Sequence, residues 1–126
     1  MSLILIVEDN ESVANSLVFF IKYLARYDTL IANSAELAYD TLMKGIIPDL
    51  ILLDIKLPGM DGIDFLSKIR RDTKLKNINA IIYSGIPENI VRKDLEGRNI
   101  FVRHILQKPE SPMKLVATIT EELKEK

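Results

Sequence analysis

The sequence has 126 residues, a hydrophobic content of 48%, a formal net charge of -1 at pH 7 and no cysteine. Its length allows one domain with a sizeable core and leaves too little chain for a second folded unit. The balanced charge argues against direct nucleic-acid binding, and the lack of cysteine excludes disulfides, thiol catalysis and cysteine-based metal sites.

The first apolar run, residues 3–7, predicts a β-strand and not a targeting segment. No basic residue precedes it, and Glu8 and Asp9 follow at once, which is wrong for a signal peptide. No stretch approaches the ~18 uninterrupted apolar residues of a membrane span. Together with the lack of cysteine, this pattern predicts a cytoplasmic protein without membrane contact.

Four further apolar runs predict the remaining strands of a sheet. The third run, residues 49–53, resembles residues 3–7 in having the composition of a strand that is buried on both faces. The second and fourth strands cover residues 29–32 and 80–83. The fifth strand lies within residues 100–107.

Amphipathic patterns predict helices on both sides of the second strand. Asn10 is an N-cap residue, and the apolar residues after it recur every three or four positions. The second helix opens with a capping-box pattern, Asn33 and Glu36, and stops at Gly45. The apolar face of the first helix comprises Val13, Leu17, Val18, Phe20, Ile21 and Leu24.

Three more helices follow the third, fourth and fifth strands, each with capping or helix-ending residues at its limits. These residues are Asp61, Asp64 and Asp72 for the third helix, Pro87 and Gly97 for the fourth, and Ser111 and Pro112 for the start of the fifth. The fifth helix is predicted to face the core with Leu115, Ile119 and Leu123. Lys124 and Lys126 suit its negative carboxyl end.

Five strands that alternate with five helices predict an α/β fold with a doubly wound parallel sheet. The two most apolar strands, the first and the third, should be neighbours at its centre, which gives the flavodoxin-like strand order 2-1-3-4-5. In such sheets, ligands bind at the carboxyl ends of the strands, beside the switch point between strands 1 and 3. Glu8, Asp9 and Asp54 are all predicted at that place.

Three carboxylates at one sheet edge predict a cation site. Two carboxylates about 4 Å apart repel by on the order of 4 kcal/mol at an effective dielectric constant of about 20. Mg²⁺ is the expected ion, because it takes oxygen ligands and is usually held by one or two carboxylates with several waters. Taken alone, Asp54 could instead cap the turn before Pro58. Ser84 and Lys108 would add a hydroxyl and a cation to the same edge, although each alone also suits an ordinary surface position.

This constellation resembles the receiver domain of bacterial and archaeal response regulators, the chemotaxis-regulator-like module of two-component signalling. The resemblance covers essentially the whole chain. It is carried by the acidic pair in IVEDN, by Asp54 in LLDIKLPGMDG, by Ser84 in IIYSG and by Lys108 with Pro109 in LQKP. These five polar positions agree with the family in residue type, in order and in strand end.

The resemblance implies a magnesium-dependent phosphoacceptor. Asp54 would accept a phosphoryl group from a phosphohistidine on a sensor histidine kinase or a histidine phosphotransfer protein. Asp9, Asp54 and the backbone carbonyl of Lys56 would bind Mg²⁺, or Mn²⁺ in its place, and Glu8 would act through water.

The resemblance also implies how the phosphoryl group is bound and sensed. Ser84 would hydrogen-bond one phosphoryl oxygen, Lys108 would pair with another, and the peptide between Lys108 and Pro109 would be cis. The domain would be a signalling module and not an enzyme, although it would catalyse its own phosphotransfer and a slow dephosphorylation. Phosphorylation would change contacts with a downstream protein through the face made by helix 4, strand 5 and helix 5.

One position departs from the usual pattern of the family, and two others bear on the lifetime of the phosphorylated form. Ile105 stands where receivers commonly have an aromatic residue that moves as the strand 4 hydroxyl engages phosphate, so the response is expected at Ser84 and the loop after it. Lys56 and Ile86 stand beside the path of a hydrolytic water. Because neither side chain is a base at neutral pH, we expect a long-lived phosphorylated form.

The segment before the fifth strand is a few residues longer than is usual in receivers. It contains Ile100, Phe101 and Val102, which we interpret as an early start of the strand. A partner-binding patch is the alternative interpretation. His104, the only histidine, is predicted to be a solvent-facing strand residue, because one histidine without nearby ligands makes no metal site.

Other functions fit these residues less well. A phosphohydrolase with an aspartate nucleophile would have a second acid at the position of Lys56. An FMN-binding protein would have a phosphate-binding loop after strand 1, but the acids of EDNESV in this loop would repel a phosphate group. A degenerate receiver that binds partners without being phosphorylated is the remaining alternative. We expect residues 1–126 to form a single receiver domain without an output domain, unless the sequence is part of a longer chain.

Overall fold

A computed structural model describes residues 2–124 of the chain. Its core is a sheet of five parallel strands in the order β2-β1-β3-β4-β5, which confirms the flavodoxin-like prediction. The strands are β1 (Leu3–Val7), β2 (Asp28–Ala32), β3 (Leu50–Leu53), β4 (Asn79–Ser84) and β5 (His104–Gln107). The helices are α1 (Glu11–Ala25), α2 (Ala35–Met43), α3 (Gly62–Arg70), α4 (Glu88–Gly97) and α5 (Pro112–Lys124).

Helices cover both faces of the sheet, which explains why β1 and β3 are apolar throughout. Successive residues of a strand point to opposite faces, so a strand between two helical layers buries every side chain. On one face, Leu5 and Ile51 lie in a cluster with residues of α2, α3 and α4. On the other face, Ile6 and Leu52 lie in a cluster with residues of α1 and α5.

Side-chain caps begin three of the helices where the sequence predicts them. The side chains of Asn10, Asp61 and Ser111 accept hydrogen bonds from the backbone N–H groups three residues later, at 3.0, 2.8 and 3.2 Å. Pro87 immediately precedes α4 instead of lying in its first turn, and Gly97 is the last residue of that helix. Lys126 lies outside the described residues.

The capping box predicted at Asn33 and Glu36 is wrong by one residue. Ser34 is extended and accepts the hydrogen bond of the Leu37 N–H group at 3.0 Å, so Ser34 is the N-cap of α2. Glu36 does not reach back to the cap. Its carboxylate accepts a hydrogen bond from the Met60 N–H group at 2.9 Å, because the loop after β3 lies beside this end of α2.

The apolar face of α1 is narrower than its sequence suggests. Ala14, Leu17 and Ile21 are its buried residues, while Leu24 remains 39% exposed. Phe20 is partly buried and packs edge-on against Phe19, with ring centroids 5.6 Å apart. Two apolar residues predicted to face the core therefore lie at its margin.

The fifth strand begins at His104, so an early start at residue 100 is wrong. The N–H group of Ile100 still bonds to the carbonyl of Leu95 at 2.9 Å, which makes this segment the end of the α4 turn. Phe101 is 76% exposed and Val102 is buried. His104 is half-buried instead of solvent-facing, because its Nδ1 lies 3.0 Å from Oε1 of Glu122 on α5.

None of the helices within residues 2–124 combines the length and the apolar composition that crossing a membrane requires.

Candidate functional site

Three carboxylates meet at the carboxyl ends of β1 and β3. Val7 pairs with Leu53 in the sheet, so the residues that follow these strands emerge side by side. One carboxylate oxygen from each of Glu8, Asp9 and Asp54 lies within 4.8 Å of the others. This confirms that the three acids are neighbours at the predicted edge of the sheet.

Two of the three carboxylates are withdrawn from solvent. Glu8 is 3% exposed and Asp54 is 7% exposed, whereas Asp9 is exposed. Backbone N–H groups donate to both buried acids, from Asn10 to Oε2 of Glu8 at 3.2 Å and from Ile55 to Oδ1 of Asp54 at 2.8 Å. These bonds fix the direction of each carboxylate.

Lys108 supplies the positive charge of the site. It follows β5, and its backbone N–H group donates to the carbonyl of Ser84 at 2.8 Å. Its Nζ donates to Oε1 of Glu8 at 2.6 Å and to Oδ2 of Asp54 at 3.1 Å. One ammonium thus contacts two of the three carboxylates of the cluster. The peptide between Lys108 and Pro109 is cis, as the resemblance implied.

The electrostatics of the site follow from this burial and pairing. Burial raises the pKa of Glu8 above its ordinary value of 4.5, against the hydrogen bonds from Lys108 and Asn10 that lower it. Burial also acts to lower the pKa of Lys108, but hydrogen bonds to Glu8 and Asp54 outweigh it, so the pKa of Lys108 rises above 10.5. Lys108 is therefore charged at neutral pH.

Ser84 is the last residue of β4 and is buried beside the acidic cluster. Its hydroxyl oxygen accepts a hydrogen bond from the N–H group of Ile86 at 3.2 Å. The hydroxyl proton is then available to an acceptor in front of Asp54. Ser84 is thus coupled to the loop that leads into α4.

An open depression of about 620 Å³ gives access to Asp54. Ser84 and Lys108 line it with Asp54, and Lys56, Gly85, Ile86 and Pro87 complete its wall. The wall therefore includes both positions that were predicted to control the lifetime of the phosphorylated form, Lys56 and Ile86. Ile105 lies elsewhere, buried among the residues under α4.

The donor set fits Mg²⁺. Glu8, Asp9 and Asp54 offer hard carboxylate oxygens, and the exposure of Asp9 leaves room for the waters that Mg²⁺ tends to keep. A softer metal would favour sulfur or imidazole ligands, whereas the three residues of this cluster offer carboxylate oxygens.

Gly62 is a site residue that the sequence did not single out. It begins α3, and its N–H group donates to the carbonyl of Ile55 at 2.8 Å. A side chain at this position would overlap the backbone carbonyl of Asp54. A glycine directly after the helix cap Asp61 was the available signal, because close backbone approach is one reason for glycine.

Fold and site together define a doubly wound α/β protein with a cluster of three carboxylates and a lysine at the switch point of its sheet. The model of the family described as the response regulator receiver domain matches residues 4–120. The chain belongs to this family of signalling domains. Receiver domains interact with sensor kinases and bind Mg²⁺ through acidic residues.

Individual relatives agree with this assignment. The chain is 33% identical to the transcriptional regulatory protein BaeR of Escherichia coli O6:H1 over 116 residues, which cover 92% of this chain and 45% of BaeR. It is 29% identical to the DNA-binding response regulator MtrA of Mycolicibacterium smegmatis, over 96% of this chain and 50% of MtrA. The crystal structure of a CheY-like receiver domain protein from Methanospirillum hungatei superimposes with a TM-score of 0.85 and 25% identity, covering 99% of this chain and 95% of that one.

The chain spans about half the length of these two curated relatives. MtrA is described as DNA-binding, so the relatives lend no support to the prediction that nucleic acid plays no part.

Proposed function

We propose that this chain is a phosphoacceptor whose Asp54 receives a phosphoryl group from a phosphohistidine of a partner protein. The observation that carries the proposal is the position of the Asp54 carboxylate, 3.1 Å from the Lys108 ammonium and open to the depression beside Ser84. In the transfer, the bond between phosphorus and the partner's imidazole breaks as a bond forms to a carboxylate oxygen of Asp54. The electron pair of the broken bond stays on the imidazole nitrogen.

The acidic cluster serves this transfer by holding Mg²⁺, with Mn²⁺ as a substitute. Asp9, Asp54 and the backbone carbonyl of Lys56 would hold the ion directly, and Glu8 would hold it through water. Bound Mg²⁺ supplies positive charge that offsets the charge of the incoming phosphoryl oxygens. Support for these roles comes from the oxygen-only cluster and from the position of Lys56 on the wall of the depression.

Lys108 and Ser84 bind the remaining phosphoryl oxygens. Phosphoryl transfer needs in-line placement and stabilisation of charge on the equatorial oxygens more than it needs covalent chemistry from the protein. An ammonium and a hydroxyl donor that already face Asp54 provide this at little cost in reorganisation. With these groups in place, the domain catalyses its own phosphorylation.

A degenerate receiver that works without phosphorylation is the alternative, and the site argues against it. Such a protein has no need of a buried aspartate beside a charged lysine, because this arrangement costs desolvation. All five polar positions are present and adjacent here.

The partners follow from this role. A sensor histidine kinase or a histidine phosphotransfer protein in the cytoplasm donates the phosphoryl group. A downstream protein binds the face made by α4, β5 and α5. Ile90 of α4 and Met113 of α5 are exposed apolar residues, and so is Phe101 in the segment before β5. Aromatic residues and methionine are enriched at protein interfaces.

Intact-mass measurement tests the proposal. The protein is incubated with a small phosphodonor such as acetyl phosphate, with Mg²⁺ or with a chelator. We expect one added phosphoryl group with Mg²⁺ and none with the chelator. A protein that gains no phosphoryl group under either condition contradicts the function.

A further inference from the structure

We propose that Tyr83 is a positioning residue for Lys108, which keeps the lysine ammonium at the site when a divalent cation occupies the carboxylates. The inference rests on the proposed phosphoacceptor function and assigns a role to a residue outside the five polar positions. Tyr83 lies in β4 directly before Ser84 and is buried. Its side chain points to the face of the sheet that α1 and α5 cover.

The ring of Tyr83 lies beside the ammonium. Nζ of Lys108 is 5.6 Å from the ring centroid, within the range of about 6 Å over which a cation is attracted to an aromatic face. The ring carries no formal charge and is not a metal ligand. Its attraction for the ammonium therefore does not depend on the charge state of the carboxylates.

The hydroxyl group of Tyr83 contacts the backbone two residues after Lys108. It accepts a hydrogen bond from the backbone N–H group of Glu110 at 3.2 Å. Glu110 follows Lys108 by two residues, and its carboxylate accepts a hydrogen bond from the Ser111 N–H group at 2.9 Å. One side chain thus fixes the loop that carries Lys108 and also contacts the lysine's charged end.

The contact between Tyr83 and Lys108 matters most when a metal ion is bound at the carboxylates. Glu8 and Asp54 now hold the ammonium at 2.6 and 3.1 Å, and the same carboxylates belong to the cluster that would hold the cation. A doubly charged ion there weakens the attraction of both carboxylates for Lys108 and adds repulsion. A free lysine side chain has high rotamer entropy and moves into solvent. The Tyr83 ring is then the contact that retains the ammonium beside Asp54.

Two substitutions separate the ring from the hydroxyl group. The maximal rate of phosphorylation by acetyl phosphate at saturating Mg²⁺ is measured for the wild type, Tyr83→Phe and Tyr83→Leu. We expect Tyr83→Leu to lower this rate about fivefold, because this factor corresponds to ~1 kcal/mol, the size of one cation–π contact. Tyr83→Phe keeps the ring and should stay within about twofold of the wild type. The Mg²⁺ concentration for half-maximal rate should be the same in all three proteins.

A second readout needs neither metal nor phosphodonor. In NMR spectra of the metal-free protein, the amide proton of Glu110 should move upfield in both Tyr83 variants, because it loses its acceptor. Tyr27 provides the matched control, since its hydroxyl donates to Thr120 Oγ1 at 3.2 Å and its ring packs on the same cluster, remote from the site. Tyr27→Leu should leave the phosphorylation rate and the Glu110 amide unchanged.

Three results would overturn the proposal: a wild-type rate in Tyr83→Leu, an equal slowing in Tyr27→Leu, or an unmoved Glu110 amide. If Tyr83→Leu does not fold, Tyr83→Met is measured in its place under the same criteria, because methionine adapts to irregular core space. A wild-type protein that takes up no phosphoryl group overturns the phosphoacceptor function and this role with it. A phosphorylated wild type with an unaffected Tyr83 variant overturns the role of Tyr83 alone.

Discussion

Nζ of Lys108 lies 2.6 Å from Oε1 of Glu8, and this pair joins the end of β5 to the end of β1 across the two strands between them. Glu8 is almost fully buried, and burial raises its pKa despite the hydrogen bonds that Lys108 and Asn10 donate. The protein thus keeps a carboxylate where folding disfavours its charge. Such a position is consistent with a site built for a cation and not for stability.

The stability of the metal-free protein should depend on the ionisation of Glu8. Because its pKa is raised in the folded state, Glu8 contributes stability that is fully present below its unfolded value of 4.5. This contribution is lost as the pH rises through the folded-state pKa. Glu8→Gln has no ionisable group at this position. The free energy of unfolding of the wild type minus that of Glu8→Gln should therefore fall as the pH rises above 4.5.

Urea unfolding without metal, between about pH 4 and about pH 8, measures this difference. Glu96→Gln on the exposed surface of α4 is the control for the loss of one surface carboxylate. A difference for Glu8→Gln that is constant or rises with pH would contradict the account.

Gly62→Ala should destabilise the protein by about 1–3 kcal/mol, because a side chain there overlaps the backbone of Asp54 and Ile55. Gly97→Ala is the control, since its site has open space around it. That helical position should gain about 0.5–1 kcal/mol from the change. Denaturant unfolding of both variants measures the free energies of unfolding, and equal effects at the two glycines would argue against a tight contact at Asp54.

Phosphorylation should act mainly on the segment from Ser84 to Gly97. Donation by the Ser84 hydroxyl to a phosphoryl oxygen draws this side chain toward Asp54, and the hydrogen bond that it accepts from the Ile86 N–H group passes the movement to the loop before α4. Ile105 is buried and has no aromatic ring to rearrange. NMR shift changes on adding beryllofluoride should cluster at residues 84–97, and Asp54→Asn should show none. Changes centred on Ile105 and β5 would refute this prediction.

The phosphorylated form should be long-lived, because Lys56 and Ile86 line the depression without offering a base to a hydrolytic water. Ile86→Glu should speed the loss of the phosphoryl group about tenfold through general-base assistance. Lys56→Asn should speed it in the same direction by supplying an amide oxygen that orients water. Loss is followed by intact mass with Mg²⁺ present, and unchanged rates in both variants would show that these positions do not control the lifetime.

The sequence was most informative where one physical rule decided the outcome. The apolar runs at β1 and β3 predict two neighbouring strands at the centre of the sheet. Because both strands end at the same edge, this prediction alone brings Glu8, Asp9 and Asp54 together. Ser84 and Lys108 follow from the same rule, because parallel strands end at one edge.

The features that the sequence did not predict depend on contacts between distant segments. Ser34 and Asn33 are both good N-cap residues, so their types alone do not decide where α2 begins. Glu36 forms no capping box because its carboxylate accepts a hydrogen bond from the Met60 N–H group in the loop after β3. His104 looked like an exposed edge residue until α5 placed Glu122 beside it. Tyr83 looked like an ordinary strand residue, because its partners Lys108 and Glu110 come from the next strand's end.

Intact-mass measurement of Asp54→Asn beside Asp61→Asn tests the central claim most directly. Asparagine caps a helix as well as aspartate does, so Asp61→Asn keeps the loop and α3 intact. Both proteins are treated with acetyl phosphate and Mg²⁺ and measured without acid, because acyl phosphates are labile. We predict one phosphoryl group on the wild type and on Asp61→Asn, and none on Asp54→Asn. An Asp54→Asn protein that is phosphorylated as fully as the wild type would contradict the assignment of Asp54 as the phosphoacceptor.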